Sequence, residues 1–300
     1  MITEDEEGNG VIGIIVNPVS GGGKGSVMAR QICEMLEERG ETCRLFETET
    51  ANDGARQARL AVESGCHAVA CIGGDGTLSE IVDVMAGSGV LLYVVPCGTG
   101  NDFARAMGLP LDPLEALRRQ MDGVRAQIDC GSINGRAFLN VSGSGFDVEV
   151  LRKTEEFKQV YPGPKAYSKA VIAVLSSYRS IEAEISVDGG SFVHQRCTIA
   201  EIANGRFFGG GMMVAPGANL QDGLFDLVTI SPVPRFAIPF LLPLFRLGIH
   251  IYLPIVKVVR AKEIVLRSED MVVNIDGRLE EMDEARYAIL PGALTVMLPR

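Results

Sequence analysis

Three glycine-rich stretches carry residues suited to chemistry on a phosphate group. They read NPVSGGGKGS at residues 17–26, GGDGTLS at 73–79 and PCGTGNDFAR at 96–105. Each follows a strand-like apolar run and precedes a helical pattern, so each offers unpaired backbone N–H groups at the start of a helix, where phosphate binds. We therefore expect three loops that together bind a phosphorylated ligand.

The first stretch matches neither of two common phosphate-binding patterns. Gly25 follows Lys24 where a P-loop requires serine or threonine, and Ser26 stands where the dinucleotide-binding pattern requires its third glycine. The site is therefore expected to belong to a different family of phosphate-binding proteins.

Two carboxylates, Asp75 and Asp102, lie in these loops, where a bare anion would be repelled. Magnesium resolves the conflict, because this ion keeps several waters and binds phosphate together with one or two carboxylates. The combination is typical of phosphoryl transfer from ATP, in which catalysis is mostly positioning and charge neutralisation. An ordinary alternative for Asp75 is a turn aspartate that caps the next helix.

The elements that must position these loops follow from the hydrophobic pattern. Strand-like and helical segments alternate over residues 1–128, which predicts a doubly wound parallel α/β domain whose ligands bind at the carboxyl ends of the strands. Residues 129–288 consist of short alternating segments split by glycine-rich turns, which is typical of an antiparallel β-sandwich. A helix is predicted within residues 161–181, between two strands of this second domain.

Composition excludes several classes of function. A formal net charge of −10 disfavours nucleic acid as a partner. Seven scattered cysteines without a CxxC pair, together with a start that lacks a secretory pattern, predict reduced thiols in a cytoplasmic protein. Residues 232–256 are very apolar, but prolines at 234, 239, 243 and 254 and the charges of Arg235 and Arg246 exclude a transmembrane helix there. We expect a core or lid segment in preference to a membrane-contacting surface.

The motifs GGDGT, NPVSG, GTGNDFAR and APGANLQDGLFDL together resemble the diacylglycerol kinase catalytic family, specifically the bacterial lipid kinases related to sphingosine kinases. The resemblance covers nearly the whole chain. It implies an NAD kinase-like first domain, a cleft between the two domains for the lipid headgroup, and a C-terminal segment, about 289–300, that returns to the first domain. Since GGDGT is shared with NAD kinases, an NAD kinase is a less favoured alternative.

The resemblance also implies which residues bind ATP and magnesium. A threonine after the second strand belongs to the ATP site, and Thr48 and Thr50 are both candidates. Asp75 would be catalytic and would form a polar network around the phosphates and magnesium with Asp102, Lys24 and Arg105. The remaining ATP-binding residues would be Asn17, Pro18, Val19, Ser20, Gly21, Gly73, Gly74, Gly76, Thr77, Leu78, Ser79 and Thr99. A structural magnesium ion would be held by Asn219, Asp222 and Leu224.

One position departs from the family pattern. The segment VNIDGRLEE has Arg278 where the family usually has a glutamate, its proposed general base, and an arginine stays protonated. Either Asp276 takes that role, or Glu280 or Glu281 does, or the protein is impaired as an enzyme. Because phosphoryl transfer demands little from a base, activity is still expected.

The resulting prediction is an ATP- and magnesium-dependent lipid kinase that acts on a hydroxyl of a diacylglycerol-like lipid. Its predicted partner is lipid at a membrane surface, with a homodimer as a further option, and its predicted location is the cytoplasm or the inner membrane face. The alternative from another class is a non-catalytic sensor that binds nucleotide or lipid, for which Arg278 is the argument.

Overall fold

The computed structural model describes residues 10–18, 23, 25–50, 52–161 and 164–300. The chain divides into two compact units, which are Met1–Ile128 with Gly292–Arg300, and Asp129–Pro291. Each unit has its own hydrophobic core. Val19, Ser20, Gly21 and Lys24, which belong to the predicted ATP site, lie outside the described residues.

The first unit contains a parallel sheet with the strand order β4-β3-β1-β2. Its strands are β1 Val11–Val16, β2 Thr42–Glu47, β3 Ala68–Gly73 and β4 Leu91–Pro96. Near the end of the chain, Thr295 and Val296 add a further parallel pairing beside β4. The chain leaves β1 towards β2 on one side and returns to β3 on the other, so the direction of winding changes between β1 and β3. In such sheets, ligands bind at the carboxyl ends of the strands at this point.

Helices cover both faces of this sheet. They are α1 Gly25–Glu38, α2 Gly54–Glu63, α3 Asp75–Met85, α4 Asp102–Ala106 and α5 Pro113–Met121. Alternate residues of β1 point to opposite faces, as expected for a strand. Ile14 packs in one cluster with Ile32 of α1 and Leu117 of α5, whereas Gly13 faces Ala61 of α2. The predicted doubly wound α/β fold is confirmed.

The second unit consists mainly of antiparallel strands. They are β5 Val124–Ile133, β6 Arg136–Phe138, β7 Val141–Gly145, β8 Ile181–Val187, β9 Val193–Cys197, β10 Ile199–Ala203, β11 Phe207–Phe208, β12 Met212–Met213, β13 Phe225–Ile230, β14 Val256–Ala261, β15 Glu263–Ile275 and β16 Arg278–Leu298. The first and last of these extend into the first unit. On β10, Ile202 points into one core and Ile199 into the other, so both faces of this strand are covered. The predicted β-sandwich is confirmed.

Three helices pack on the second of these cores. They are α6 Phe146–Lys158, α7 Pro164–Ser177 and α8 Ile238–Leu247. The helix predicted within residues 161–181 is α7. Sequence analysis did not predict α6, in which Val148 and Val150 alternate with acidic residues and so resemble a strand. None of the helices in the described ranges is both long and apolar enough to cross a membrane.

Candidate active site

The loops after β3 and β4 touch through their backbones. A Cβ atom placed on Gly74 would lie 2.9 Å from Cα of Gly98, and one placed on Gly98 would overlap Cα of Gly74. The amide of Cys97 also donates a hydrogen bond to the carbonyl oxygen of Gly73, at 2.8 Å. Glycine is therefore required at positions 74 and 98 because the two chains approach too closely for any side chain.

Asp75 connects these two loops. Its Oδ1 accepts a hydrogen bond of 3.0 Å from the amide of Phe103 in the first turn of α4. A Cβ atom on Gly100 would lie 2.8 Å from Oδ2 of Asp75 and 3.5 Å from Oδ2 of Asp102, so both carboxylates approach the same point of the third loop. Asp75 is thus the first residue of α3 and accepts from α4, so it does not cap the next helix in the chain as the ordinary alternative proposed.

Asn101 gives the third loop its shape, a role that sequence analysis missed. Its backbone is in the left-handed region with φ 55°, which asparagine tolerates better than most residues. Its side chain accepts from the amide of Gly98 and donates to the carbonyl oxygen of the same residue, both at 2.9 Å. Arg105 reaches back to the carbonyl oxygen of Gly100 at 3.4 Å. The asparagine after the glycine pair was the available sequence signal.

The first loop leaves β1 close to the start of α1. A Cβ atom on Gly25 would overlap the carbonyl oxygen of Asn17 and lie 3.1 Å from that of Pro18. This contact holds the beginning of the helix against the end of the strand, at the same sheet edge as the other two loops. Asn17 and Pro18 therefore lie between the end of β1 and the start of α1, and their role in ATP binding stays a prediction.

The structure separates the two threonines that the sequence left open. Thr48 is buried and donates its amide to the carbonyl oxygen of Val16 at 3.0 Å, which places it beside the end of β1. Thr50 is exposed. Thr48 is thus the threonine that adjoins the first loop.

The other residues predicted for this loop edge differ in accessibility. The side chains of Thr77, Leu78 and Ser79 are buried in the first turns of α3, whereas Gly76 and Thr99 are exposed. The side chains of Leu78 and Ser79 are therefore turned away from solvent at the loop edge, and the amide of Leu78 donates to the carbonyl oxygen of Gly74 at 3.2 Å.

Asp276 lies in the two-residue turn between β15 and β16 of the second unit. Asp276 and Gly277 have φ 48° and φ 92°, which is the backbone of a type I′ hairpin. The carboxylate accepts three backbone hydrogen bonds, from Leu139 at 2.6 Å, Asn140 at 2.9 Å and Val141 at 3.1 Å. These hydrogen bonds attach the turn to the start of β7. The carboxylate of Asp276 therefore stabilises the turn, whether or not it also takes part in catalysis.

Glu280 and Glu281 follow on β16. Glu280 forms an ion pair with Arg136, and Glu281 is exposed. Arg278 is the first residue of β16 and pairs across the hairpin with Ile275. Of the two glutamates near the position of the family's general base, one therefore forms an ion pair and the other is exposed to solvent.

The residues predicted for structural magnesium lie before β13. Asp222 forms an ion pair with Arg260 and accepts the amide of Leu224 at 3.1 Å, while Asn219 accepts the amide of Gln221, also at 3.1 Å. A cation at Asp222 would have to compete with this guanidinium. Within the described part of the chain, no group of three or more acidic, histidine or cysteine side chains is arranged to hold a metal ion.

A pair of buried carboxyl groups lies where α6 packs on β10, and sequence analysis missed it. Both carboxyl oxygens of Glu201 and Oδ1 of Asp147 are buried without a hydrogen-bond partner among the described residues. Burial, with the nearby charge of Asp147, raises the pKa of Glu201 well above its ordinary value. Burial also raises the pKa of Asp147, although the side-chain amide of Asn274, which donates to its Oδ2 at 3.3 Å, opposes this. The pair therefore keeps a proton above the pH at which an exposed glutamate loses it.

Asp147 also lines a cavity inside the second unit. The walls are apolar side chains of α6, α7, α8, β10 and β13, such as Phe146, Ile199 and Phe245, and Asp147, Thr198 and Tyr167 are also among the lining residues. The cavity volume is about 50 Å³. The cavity is therefore smaller than a typical ligand pocket, and its surface is almost entirely apolar.

Comparison with known proteins covers nearly the whole chain. The family described as "Diacylglycerol kinase catalytic domain" matches residues 11–133, and that described as "YegS C-terminal NAD kinase beta sandwich-like domain" matches residues 140–298. A diacylglycerol kinase of Mycobacterium tuberculosis is 32% identical over 297 residues, which cover 97% of this chain and 96% of that protein.

A further sequence relative and a solved structure agree with these family matches. A YegS-like lipid kinase of Pseudomonas aeruginosa is 34% identical over 249 residues, 82% of each chain. A crystal structure of a diacylglycerol kinase from Bacillus anthracis superimposes with a TM-score of 0.73 at 21% identity, covering 98% of both chains. The structural likeness supports the two-domain fold, and the sequence relatives support the family.

We expect Gly98→Ala to destabilise the first unit by about 1–3 kcal/mol, because its methyl group would overlap the backbone of Gly74. Gly76→Ala is the matched control. A Cβ atom there meets no other atom within 4 Å and the residue lies in α3, so the variant should be unchanged or more stable by up to about 1 kcal/mol. Urea unfolding of both variants measures the difference. Equal stabilities would contradict the close contact of the two loops.

We expect Glu201→Gln to change how stability depends on pH. A folded-state pKa above the unfolded-state value means that the folded chain binds more protons, so the wild type loses stability as pH rises above the usual pKa of glutamate. The variant should avoid this loss, and its advantage should grow by up to about 1.4 kcal/mol per pH unit. Unfolding free energies between pH 4.5 and about pH 8 test this, with exposed Glu184→Gln as control. Parallel curves for Glu201→Gln and wild type would refute it.

Proposed function

Because this chain belongs to the diacylglycerol kinase catalytic-domain family of lipid kinases, we propose that it transfers the γ-phosphate of ATP to a free hydroxyl of a diacylglycerol-like lipid, with the help of magnesium. The observation that carries the choice of acceptor is the apolar cavity of the second unit. Its almost entirely apolar surface suits part of a hydrocarbon chain, whereas a dinucleotide has no comparable apolar part.

Almost all of the cavity surface is apolar, although Asp147 and Thr198 are among the lining residues. Such a surface suits the hydrocarbon part of a lipid. The lining therefore supports an acceptor that carries a hydrocarbon chain next to its hydroxyl group.

The loop edge of the first unit supports ATP as the donor. Gly74 and Gly98 bring two loops together without side chains between them, and α1 and α3 begin at the same edge. Backbone amides at the start of these longer helices attract phosphate. The contribution of the protein at this edge is to bind and orient the nucleotide.

Asp75 and Asp102 fit a magnesium ion, since both carboxylates approach the same point of the third loop. We propose that these two residues hold it, where it would supply neutralisation of phosphate charge. Arg105, which contacts the carbonyl oxygen of Gly100, adds positive charge to this loop. Asp222 with Asn219 and Leu224 remains a proposal for a second, structural ion that would displace Arg260 from its ion pair.

Asp276 and Glu280 remain the carboxylates that we propose for the proton of the acceptor hydroxyl. Asp276 is held by three amides and Glu280 by Arg136, so either would act from a fixed position. A loose transition state for phosphoryl transfer places small demands on a base. Arg278 at the family's usual base position is therefore compatible with catalysis.

The variant Asp75→Asn should keep the fold, because an amide oxygen can still accept from Phe103, but should lower phosphoryl transfer at least ~100-fold through the lost charge. Transfer of labelled γ-phosphate to detergent-dispersed diacylglycerol, in magnesium and ATP, measures this. Asp83→Asn, an exposed site on the same helix, is the control. Near-normal turnover by a folded Asp75→Asn protein would refute the assignment.

The sensor alternative is tested at Arg278. If the native protein is a kinase, Arg278→Glu should change the rate less than about tenfold, because the base contributes little. A gain of ~100-fold or more, with ATP affinity unchanged, would show that the native chain is impaired and would favour the sensor. The same lipid assay and a nucleotide-binding titration give the two readouts.

A further inference from the structure

Helix α8 is apolar on both of its sides. Ile238, Leu241 and Phe245 are buried and line the cavity, at the spacing of one helical face. Phe240 and Leu247 occupy the opposite face, with 75% and 64% of their surface exposed. A globular helix usually carries polar residues on its solvent side, so the outer face of α8 needs an explanation.

The exposed apolar face extends beyond the helix at both ends. Phe236, four residues before Phe240 in a 3-10 turn, is 77% exposed. Ile249 and Tyr252 follow the helix, and Tyr252 is 80% exposed. We call Phe236, Phe240, Leu247, Ile249 and Tyr252 the α8 surface. Single exposed apolar residues are common, whereas several grouped on one helix and the turns at its two ends are typical of an interaction site.

The charged residues in the chain segment that carries the α8 surface are all basic. Between Asp226 and Glu263 the chain has no acidic residue and five basic ones, although the whole protein carries a net charge of −10. These five are Arg235, Arg246, Lys257, Arg260 and Lys262. Arg260 is paired with Asp222 and Asp226, and Arg235 donates to the carbonyl oxygens of Ser176 and Tyr178. Arg246 and Lys257 are exposed.

This chemistry matches a lipid bilayer better than a second copy of the chain. In a two-fold dimer the same patch meets itself, so Arg246 would approach its own symmetry mate and be repelled. An anionic bilayer instead offers apolar chains for phenylalanine, an interface that tyrosine prefers, and phosphates for the basic side chains.

We propose that the α8 surface docks this protein on an anionic lipid bilayer, with Phe236, Phe240 and Leu247 among the acyl chains and Arg246 and Lys257 at the headgroup phosphates. The proposal rests on the proposed function for its purpose, since the inner face of α8 lines the cavity that would take an acyl chain. Membrane contact and acyl-chain binding are thus two faces of one helix.

The test measures binding to vesicles without ATP, so that it does not depend on catalysis. The probe is a vesicle of phosphatidylcholine with about 30% phosphatidylglycerol, against phosphatidylcholine alone, in a sedimentation assay with added salt. We expect the double variant Phe236→Ser with Phe240→Ser to bind more than ~10-fold more weakly. Arg246→Glu should weaken binding about 10-fold or more at low salt and less at high salt.

Matched controls carry equivalent changes elsewhere. Leu45→Ser with Val193→Ser removes two exposed apolar side chains, and Arg118→Glu reverses one exposed charge. Both controls should bind vesicles as the wild type does. Equal binding by the α8 variants and their controls would overturn the proposal. A dimer in light scattering that these substitutions dissolve, with vesicle binding unchanged, would overturn it in favour of a second copy.

Activity assays in micelles and on vesicles distinguish a failure of the docking proposal from a failure of the kinase proposal. In detergent micelles, where docking is unnecessary, the α8 variants should phosphorylate diacylglycerol within about threefold of wild type, and on vesicles they should lose activity in step with binding. Vesicle binding that depends on α8, without any phosphoryl transfer, would support docking and refute the proposed function. Equal losses in micelles and on vesicles would contradict a docking role.

Discussion

The contact between the backbones of Gly74 and Gly98 is the constraint on which the candidate active site depends. Because no side chain fits between them, the loop after β3 and the loop after β4 form one structure. Only at this separation does Asp75 reach the amide of Phe103 and share the neighbourhood of Gly100 with Asp102. The glycines therefore determine where two carboxylates lie, although they carry no reactive group themselves.

In the second unit, a series of hydrogen bonds connects the turn Asp276–Gly277 to the cavity. The amide of Gly277 donates to Asn274 at 2.8 Å, and the side-chain amide of Asn274 donates to Asp147 at 3.3 Å. The turn that departs from the family pattern at Arg278 is thus hydrogen-bonded, through one asparagine, to a carboxyl group that lines the cavity. We therefore expect a substitution in this turn to affect Asp147 at the cavity as well as the hairpin.

The sequence predicted those features that local patterns determine. Strand-helix alternation and the three glycine loops follow from neighbouring residues, so the α/β sheet and its loop edge were predictable. Features formed by residues that are distant in sequence were not predictable. Asp147 and Glu201 are far apart in sequence, and nothing in the strand TIAEIA shows that its glutamate faces a carboxyl group. Likewise, the amides that hold Asp276 belong to Leu139, Asn140 and Val141, more than a hundred residues away in the chain.

Residues 232–256 show why burial of an apolar segment cannot be predicted from hydropathy alone. The sequence favoured a core or lid segment, and the inner face of α8 does pack on a core. The outer face of α8 remains exposed. The strands before and after this segment, β13 and β14, pair with each other, so α8 packs on the core with one face only. The overall charge is misleading for a similar reason. A value of −10 describes the field far from the protein, whereas a surface contact depends on charges within about 10 Å. The charged residues in the segment that contains α8 are basic.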